Sequence, residues 1–454
     1  MGHNDVRFPV FFHLKKLLTK GMIEIKHYGK LIRNKEDLSD ETIRTVQKGV
    51  IKNKQGRWQC IQCESSERAD YYTYYSEPLH TEITYCRHCL QLGRMDTHND
   101  VYITDTHQEI SKAEYHLDFQ LSEQQTYASE NVIRAIQIHE KLLLYAVTGA
   151  GKTEMMFAGI QYARQQGYNV AVISPRVDVV VEISARIAEA FSAEKIDVLY
   201  QGQSQQYNGH FVVATVHQLY RFKHHFDVIF IDEVDAFPLS MDPLLMQTIN
   251  SASVSTASHI YMTATPSRKL RSQFKPANII TLPARYHRRS LPVPTYRYLK
   301  FKPSQLQPQL LRLFQQQINN QRYTLVFFNH IEAMKAAFEI YAEHIPDLIY
   351  VHSEDALRFD KVTALREGRH PIVFTTTILE RGFTMPRLDV IVLESQTYST
   401  AALVQIAGRV GRKLQDTSGL VLYLHNGVSL SMLRAKAQIK QMNTIGLQKG
   451  WLDA

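Results

Sequence analysis

Residues 146–153 read AVTGAGKT, directly after an apolar run at 142–147 and at the head of a helix-forming stretch at 153–166. Few local patterns constrain a chain as tightly. Small residues let the backbone turn sharply and aim its N–H groups at phosphate oxygens, and the N-terminus of the following helix adds a favourable dipole. The turn therefore predicts a nucleotide-binding loop on a parallel sheet. Thr148, Gly149, Ala150 and Gly151 form the cradle, Lys152 reaches the β- and γ-phosphates of ATP, and Thr153 ligates magnesium. Where the general pattern begins with glycine, this chain has Ala146.

Further apolar runs at 170–173, 211–214, 228–231 and 260–262 are short and nearly continuous, as parallel strands buried on both faces tend to be. Helical stretches between them argue for βαβ units. A second texture of the same kind places strands at 324–328, 348–352, 372–375, 390–393 and 420–424. A length of 454 residues suits two to four domains. Three regions separate: residues 1–115, polar, Tyr-rich and holding every cysteine; 116–285, with the phosphate loop; and 286–454. The proline-rich basic segment 286–303 reads as an inter-domain linker or a surface loop.

Asp232-Glu233-Val234-Asp235 ends the run 228–231. A lone Asp-Glu pair is most often an exposed acidic turn. At the C-terminal end of a buried strand, downstream of a phosphate loop, it faces the crevice where open α/β sheets hold ligands. Asp232 is expected to hold magnesium through water, and Glu233 to orient the attacking water. In the last region, Gln405-Ile-Ala-Gly408-Arg409-Val-Gly411-Arg412 offers arginines that stabilise charge developing on a transferred phosphoryl group. Arg412 is the first choice for that role and Arg409 the next. Isolated, the pair would read as solvated surface arginines.

In collinear order the chain resembles superfamily 2 helicases and translocases. Residues 119–124 (FQLSEQ) resemble the glutamine motif that recognises adenine, with Gln124 as the candidate. Ser174-Pro175-Arg176 and Ala214-Thr215-Val216-His217 resemble strand-binding motifs. Thr263-Ala264-Thr265 resembles the motif coupling hydrolysis to movement. Residues 375–382 (TTTILERG) resemble the motif touching nucleotide and nucleic-acid backbone, which implicates Thr376, Arg381 and Gly382. The resemblance implies two RecA-like parallel-sheet domains in tandem. It also implies phosphate contacts through Pro175, Arg176, Thr215, Thr376 and Arg381 that position a strand without reading its sequence.

The four cysteines form Cys60-x-x-Cys63 and Cys86-x-x-Cys89, with 22 residues between the pairs. Two such knuckles with none left over fit a four-thiolate zinc site within about residues 57–95. Two disulfides or reduced bystanders are the competing readings, and a reducing cytosol disfavours the first. Tyr71, Tyr72, Tyr74 and Tyr75 lie between the knuckles, among Arg57, Trp58, Arg68, Arg87, His88 and Arg94. They either stack on nucleobases or pack the small module. A zinc module ahead of such a motor, with the TTTILERGFTMP and DEVDAFP stretches, is most similar to the ComFA family of late competence ATPases. That resemblance implies import of single-stranded DNA beside other competence proteins at the inner membrane face. A primosomal replication-restart helicase shares the core motifs but carries its cysteines in the second half of the motor. A nucleotide-gated DNA-binding scaffold would not need Glu233.

Lys plus Arg number 52 against 44 Asp plus Glu, a net charge of +8 that suits a polyanionic partner. No apolar run of about 18 residues occurs, and the start MGHNDVRFPVFFHLKKLL lacks a secretory leader's apolar core. A cytoplasmic location, with or without peripheral membrane attachment, is expected.

Overall fold

The computed structural model describes residues 25–38, 41–380 and 383–453. The start at 1–18, and the roles expected of Arg381 and Gly382, lie outside those residues.

The N-terminal region contains β1 (Leu31–Ile32), β2 (Ile43–Lys48), β3 (Val50–Lys52), β4 (Trp58–Cys60), β5 (Tyr71–Ser76), β6 (Thr81–Cys86) and β7 (Asp100–Thr104). β1, β7 and β2 form an antiparallel sheet, and β3–β4 and β5–β6 are two hairpins carrying the cysteines. Val50, Ile61, Met95 and all four cysteines share one apolar cluster with Leu219, Phe222 and Leu245 of the next region. The cysteine module is thereby packed onto the neighbouring sheet layer.

That next region comprises α1 (Glu123–Gln137), β8 (Leu142–Ala146), α2 (Lys152–Gln165), β9 (Val170–Ser174), α3 (Val177–Ala190), β10 (Asp197–Leu199), β11 (Phe211–Thr215), β12 (Phe226–Asp232), α4 (Pro243–Ala252), β13 (Ser253–Thr263), α5 (Arg268–Arg271) and β14 (Ile279–Leu282). Its strands make one parallel sheet ordered β10-β11-β9-β12-β13-β8-β14. β9 and β11 are buried at every position, as their unbroken apolar sequences require. Ser122 caps α1 in a reciprocal capping box with Gln125, and Asp242 caps α4 ahead of Pro243.

The last region holds β15 (Thr295–Tyr298), α6 (Pro308–Asn319), β16 (Tyr323–Phe327), α7 (Ile331–Tyr341), β17 (Ile349–Val351), α8 (Arg358–Arg366), β18 (Ile372–Thr375), β19 (Leu388–Val392), α9 (Thr400–Ala407), β20 (Val421–His425) and α10 (Leu430–Gln448). A second parallel sheet runs β15-β20-β19-β16-β18-β17. The fold is thus two RecA-like parallel sheets in tandem behind a small cysteine-bearing region.

Three strands of the two parallel sheets were not expected. β10 is only three residues long, and β14 sits at a sheet edge with alternating rather than continuous burial. β15 corrects the reading of 286–303 as a linker or loop. The stretch TYRY pairs with β20 as an edge strand, and its mostly exposed side chains mask it in the sequence. The two sheets touch. Val147 and Ala150 share an apolar cluster with Val404, Ala407 and Met442. From α10, Gln438 Nε2 donates to the Tyr145 hydroxyl at 2.8 Å and to the Ala264 carbonyl at 3.3 Å. Among the described residues, no helix is long and apolar enough to cross a membrane.

Candidate functional site

β8 ends at Ala146 and α2 begins at Lys152, so residues 147–151 form the turn between them. Gly151 caps α2 in the left-handed region, at φ 79°. A Cβ there would lie 2.2 Å from Gln125 Nε2, so only glycine serves. Lys152 and Thr153 occupy the first turn of α2. The Thr153 hydroxyl accepts from Arg186 Nη1 of α3 at 3.3 Å, and Arg186 is also paired with Glu154.

β12 ends at Asp232, which is 8% exposed, and Glu233 turns the chain away at φ 51°. Asp235 accepts hydrogen bonds from the hydroxyls of Thr263 and Thr265, at the end of β13. The Thr265 hydroxyl in turn accepts from Gln405 Nε2 on α9 at 3.4 Å, which links the acidic box to the opposite lobe.

The arginine motif follows α9. Arg412 donates from Nε to the Gly408 carbonyl at 2.8 Å. Burial, then repulsion from Arg285, pushes its guanidinium down to about 10, while Glu182 and Glu233 act in the opposite direction. It stays cationic at neutral pH. Arg409 is 2% exposed and donates from Nη1 to the Phe383 carbonyl at 2.6 Å, within its own lobe. Lys152, Thr153, Asp232, Glu233, Arg409 and Arg412 all line one cavity of about 1000 Å³ between the sheets, together with Thr148, Gly149, Ala150 and Gly151.

Gln124 does not join them. Its carboxamide donates to the Ala284 carbonyl at 2.7 Å and accepts from the Ala284 N–H at 2.8 Å, so both ends are committed to backbone. The next residue, Gln125, is also bonded to backbone at both ends, accepting from the Ser122 N–H at 2.9 Å and donating to the Ala150 carbonyl at 3.2 Å, but unlike Gln124 it lines the cavity. The glutamine facing the phosphate loop is displaced by one position from the expected one, because adjacent helical residues face about 100° apart. Two more residues were missed. Arg186 lies on an amphipathic helix with no motif around it. Arg285 lies in the basic run RYHRRS, which reads as solvated.

The strand-contact candidates sit at the C-terminal ends of strands, the edge where open α/β sheets place ligands. Pro175 and Arg176 follow β9, Thr215 ends β11 and Thr376 follows β18. Arg176 is paired with Asp178 at 2.9 Å and reaches the Ile378 carbonyl of the other lobe at 3.4 Å.

The cysteine sulfurs cluster apart from this cavity. All four are buried and unpaired by disulfide, with Sγ atoms within 4.8 Å of one another. Cys60–Cys89 and Cys63–Cys86 are 3.6 Å apart, and Cys86–Cys89 is 3.8 Å. Thiolates held about 2.3 Å from a tetrahedral zinc stand about 3.8 Å apart, so the donor set and its spacing fit that ion. The tyrosines divide. The Tyr71 hydroxyl donates to the Ser65 carbonyl and its ring packs against the cysteine cluster, whereas Tyr72 and Tyr75 are 52% and 54% exposed. Arg94 lies over the rings of Tyr74 and Tyr85, at 5.3 and 4.7 Å.

Residues 118–268 match the family described as type III restriction enzyme, res subunit, and residues 305–413 match the helicase conserved C-terminal domain. RecG bound to a three-way DNA junction superposes with a TM-score of 0.53 at 17% identity, over 74% of this chain and 47% of that one, a likeness of fold. Fold and domains together define a nucleic-acid-dependent ATPase of the helicase class. Residues 7–103 match the competence protein ComFA N-terminal domain. The competence protein ComFA of Bacillus subtilis (strain 168) is 34% identical over 435 residues, 91% of this chain and 93% of that protein. ComFA of Streptococcus pneumoniae (strain ATCC BAA-255 / R6) is 30% identical over 433 residues, 93% of this chain and 98% of that protein. The chain belongs to the ComFA family of competence-associated, helicase-like ATPases.

Proposed function

We propose that this protein couples ATP hydrolysis to movement along single-stranded DNA and so drives DNA import during natural transformation. The observation that carries the reading is the convergence of Lys152, Thr153, Asp232, Glu233 and Arg412 on one inter-lobe cavity. Lys152 and the N–H groups of residues 149–153 bind the phosphates. Thr153 and Asp232 would hold magnesium, which when bound offsets phosphate charge. Glu233 orients and polarises the attacking water. Arg412, carried by the opposite lobe, stabilises charge on the γ-phosphoryl group, so turnover depends on closure. Pro175, Arg176, Thr215, Thr376 and Arg381 grip the strand backbone. The Asp235–Thr265–Gln405 chain supports coupling between the acidic box and lobe movement.

Cys60, Cys63, Cys86 and Cys89 would hold one structural zinc, whose chemistry is to cross-link the two hairpins. The protein acts beside other competence proteins at the inner membrane face; its kinship with competence proteins supports the competence setting. The test is steady-state ATP turnover without nucleic acid and with single-stranded DNA, duplex DNA or RNA. Stimulation greatest with single-stranded DNA is expected. Turnover indifferent to every nucleic acid would overturn the motor reading.

A further inference from the structure

Arg285 leaves the first lobe just after β14 and is 1% exposed. Its guanidinium reaches the turn that carries Arg412. Nη1 donates to the carbonyls of Val410, at 2.7 Å, and Gly411, and Nη2 donates to that of Gly408 at 3.2 Å. His287 Nε2 stands 3.0 Å from the same Gly411 carbonyl. The Arg285 stem passes the phosphate loop, with Cγ 3.6 Å from where a Cβ on Gly149 would stand. The residue before it is pinned by both ends of the Gln124 carboxamide. One side chain therefore spans from the phosphate loop to the arginine turn.

Among the described residues, no carboxylate pairs with Arg285, and its Nε–H has no partner. A buried cation held only by carbonyl dipoles is poorly compensated. Two more arginines stand beside it. Burial and repulsion from Arg409 push Arg285 down to about 9, and Arg285 in turn lowers Arg412. Arg285 and Arg412 remain charged at neutral pH. Glu182 and Glu233 act on Arg412, whereas no carboxylate offsets Arg285 itself, and the turn it holds borders the cavity lined by Lys152 and Thr153.

We propose that Arg285 is a positioning residue: it holds the turn 408–411, and through it Arg412, over the phosphate loop, with a grip that tightens when a polyphosphate enters the cleft. The proposal rests on the ATPase reading above and deepens it. Arg285 does not touch the reacting atoms. It acts by fixing where the Arg412 guanidinium points, and by making lobe closure answer to the charge in the cavity.

The test uses the full chain with Arg285→Gln, Arg285→Lys, Arg412→Ala and the double variant Arg285→Gln/Arg412→Ala. In Arg285→Gln, affinity for a fluorescent ATP analogue should stay within about 3-fold, while kcat for single-stranded-DNA-stimulated turnover falls by about 30-fold or more. Arg285→Lys, which keeps the charge but cannot span three carbonyls, should recover part of that loss. In the Arg412→Ala background, Arg285→Gln should cost less than about 2-fold further, because the two act as a unit. A general packing role would instead cost the same in both backgrounds, and that additivity would overturn the proposal. So would an unchanged kcat in Arg285→Gln. Should Arg285→Gln fail to fold, Arg285→Lys in the two backgrounds gives the same comparison. A donor–acceptor dye pair on the two lobes, read with and without a non-hydrolysable ATP analogue, separates the two levels of inference. If wild type closes on the analogue but never turns over, the ATPase reading fails. Nucleotide-driven closure surviving intact in both Arg285 variants would count against Arg285 alone.

Discussion

The Thr148 hydroxyl donates to the Gly408 carbonyl at 3.2 Å, so the phosphate loop of one sheet touches the arginine turn of the other. The contact is close enough to exclude any side chain at 408. A Cβ there would lie 2.0 Å from Thr148 Oγ1 and 2.9 Å from Thr148 Cβ. Gly408→Ala must therefore hold the lobes apart. Turnover is expected to fall by about 10²-fold, as a displacement near 1 Å at an active site does, with nucleotide affinity largely kept. Adding Thr148→Gly removes the clashing atoms and should restore part of kcat. A Gly408→Ala protein with normal turnover would show that the lobes need not meet here during catalysis.

In the proposed mechanism Glu233 and Arg412 serve the same step from opposite lobes, so their variants should look alike in one respect. Glu233→Gln should retain ATP binding and lose hydrolysis, because the amide cannot accept the proton or polarise water equally well. Arg412→Ala should lower kcat by about 10³-fold, the lower end for a phosphoryl-stabilising arginine. Lys152→Ala should differ by weakening binding itself. Equilibrium titration beside single-turnover hydrolysis separates these outcomes, and a Glu233→Gln protein with wild-type hydrolysis would remove it from water activation.

How much of this was visible beforehand differs by residue. Asp232, Lys152 and Thr153 end or follow strands buried on both faces, and such strands announce themselves as unbroken apolar runs. Their placement at one edge of a parallel sheet then follows from the right-handed crossover rule. The cysteine spacing was legible because four donors of one kind with fixed gaps admit few geometries. Arg285 was hidden, because its burial comes from a turn more than a hundred residues away. β15 was hidden for a related reason, since an edge strand with one neighbour carries little apolar signal.

Gln124 and Gln125 make a paired test of one-residue register. Gln124→Ala strands both the N–H and the carbonyl of Ala284 in a buried site, at about 1–3 kcal/mol for each unsatisfied group. It should lower the melting temperature more than it alters KM. Gln125→Ala releases the Ala150 carbonyl beside the phosphate loop and opens space around Gly151, and it frees the Ser122 N–H at the N-cap of α1, a half-buried helix end where water can replace the lost partner. It should raise the KM for ATP with a smaller effect on melting. Reversal of the two phenotypes would return the nucleotide-facing role to Gln124.

Metal analysis of the purified protein should find one zinc per chain, and a value near zero would remove the metal assignment. Because the cysteines share an apolar cluster with Leu219 and Phe222, chelation should loosen the docking of residues 50–95 as well as the hairpins. Limited proteolysis after treatment with a strong chelator is expected to cut within that span first. Cys60→Ser should reproduce the pattern without chelator.

Three buried histidines bear on how the fold responds to acid. His225 is fully buried, with Nε2 3.0 Å from the Gly209 carbonyl and Nδ1 2.9 Å from the Thr106 hydroxyl, an arrangement for a neutral ring. Burial pushes it down to about 3, and pushes His210 and His259 down to about 4. Each folded value lies below the unfolded 6.5, so the unfolded chain takes up protons first as pH falls. Their contribution is therefore complete above pH 6.5 and is lost progressively below it, down to about 4 for His210 and His259 and about 3 for His225. Each shifted unit corresponds to about 1.4 kcal/mol, so moving from pH 6.5 to 5.0 should cost about 1–2 kcal/mol per histidine. The melting temperature should begin to drop near pH 6.5, above the range where ordinary carboxylates titrate. His259→Gln, which removes one of the three groups, should flatten that slope by about a third if the histidines dominate it. A melting temperature constant from pH 7 to 5 would mean that these rings are protonated in the fold, which the Gly209 and Thr106 contacts of His225 argue against.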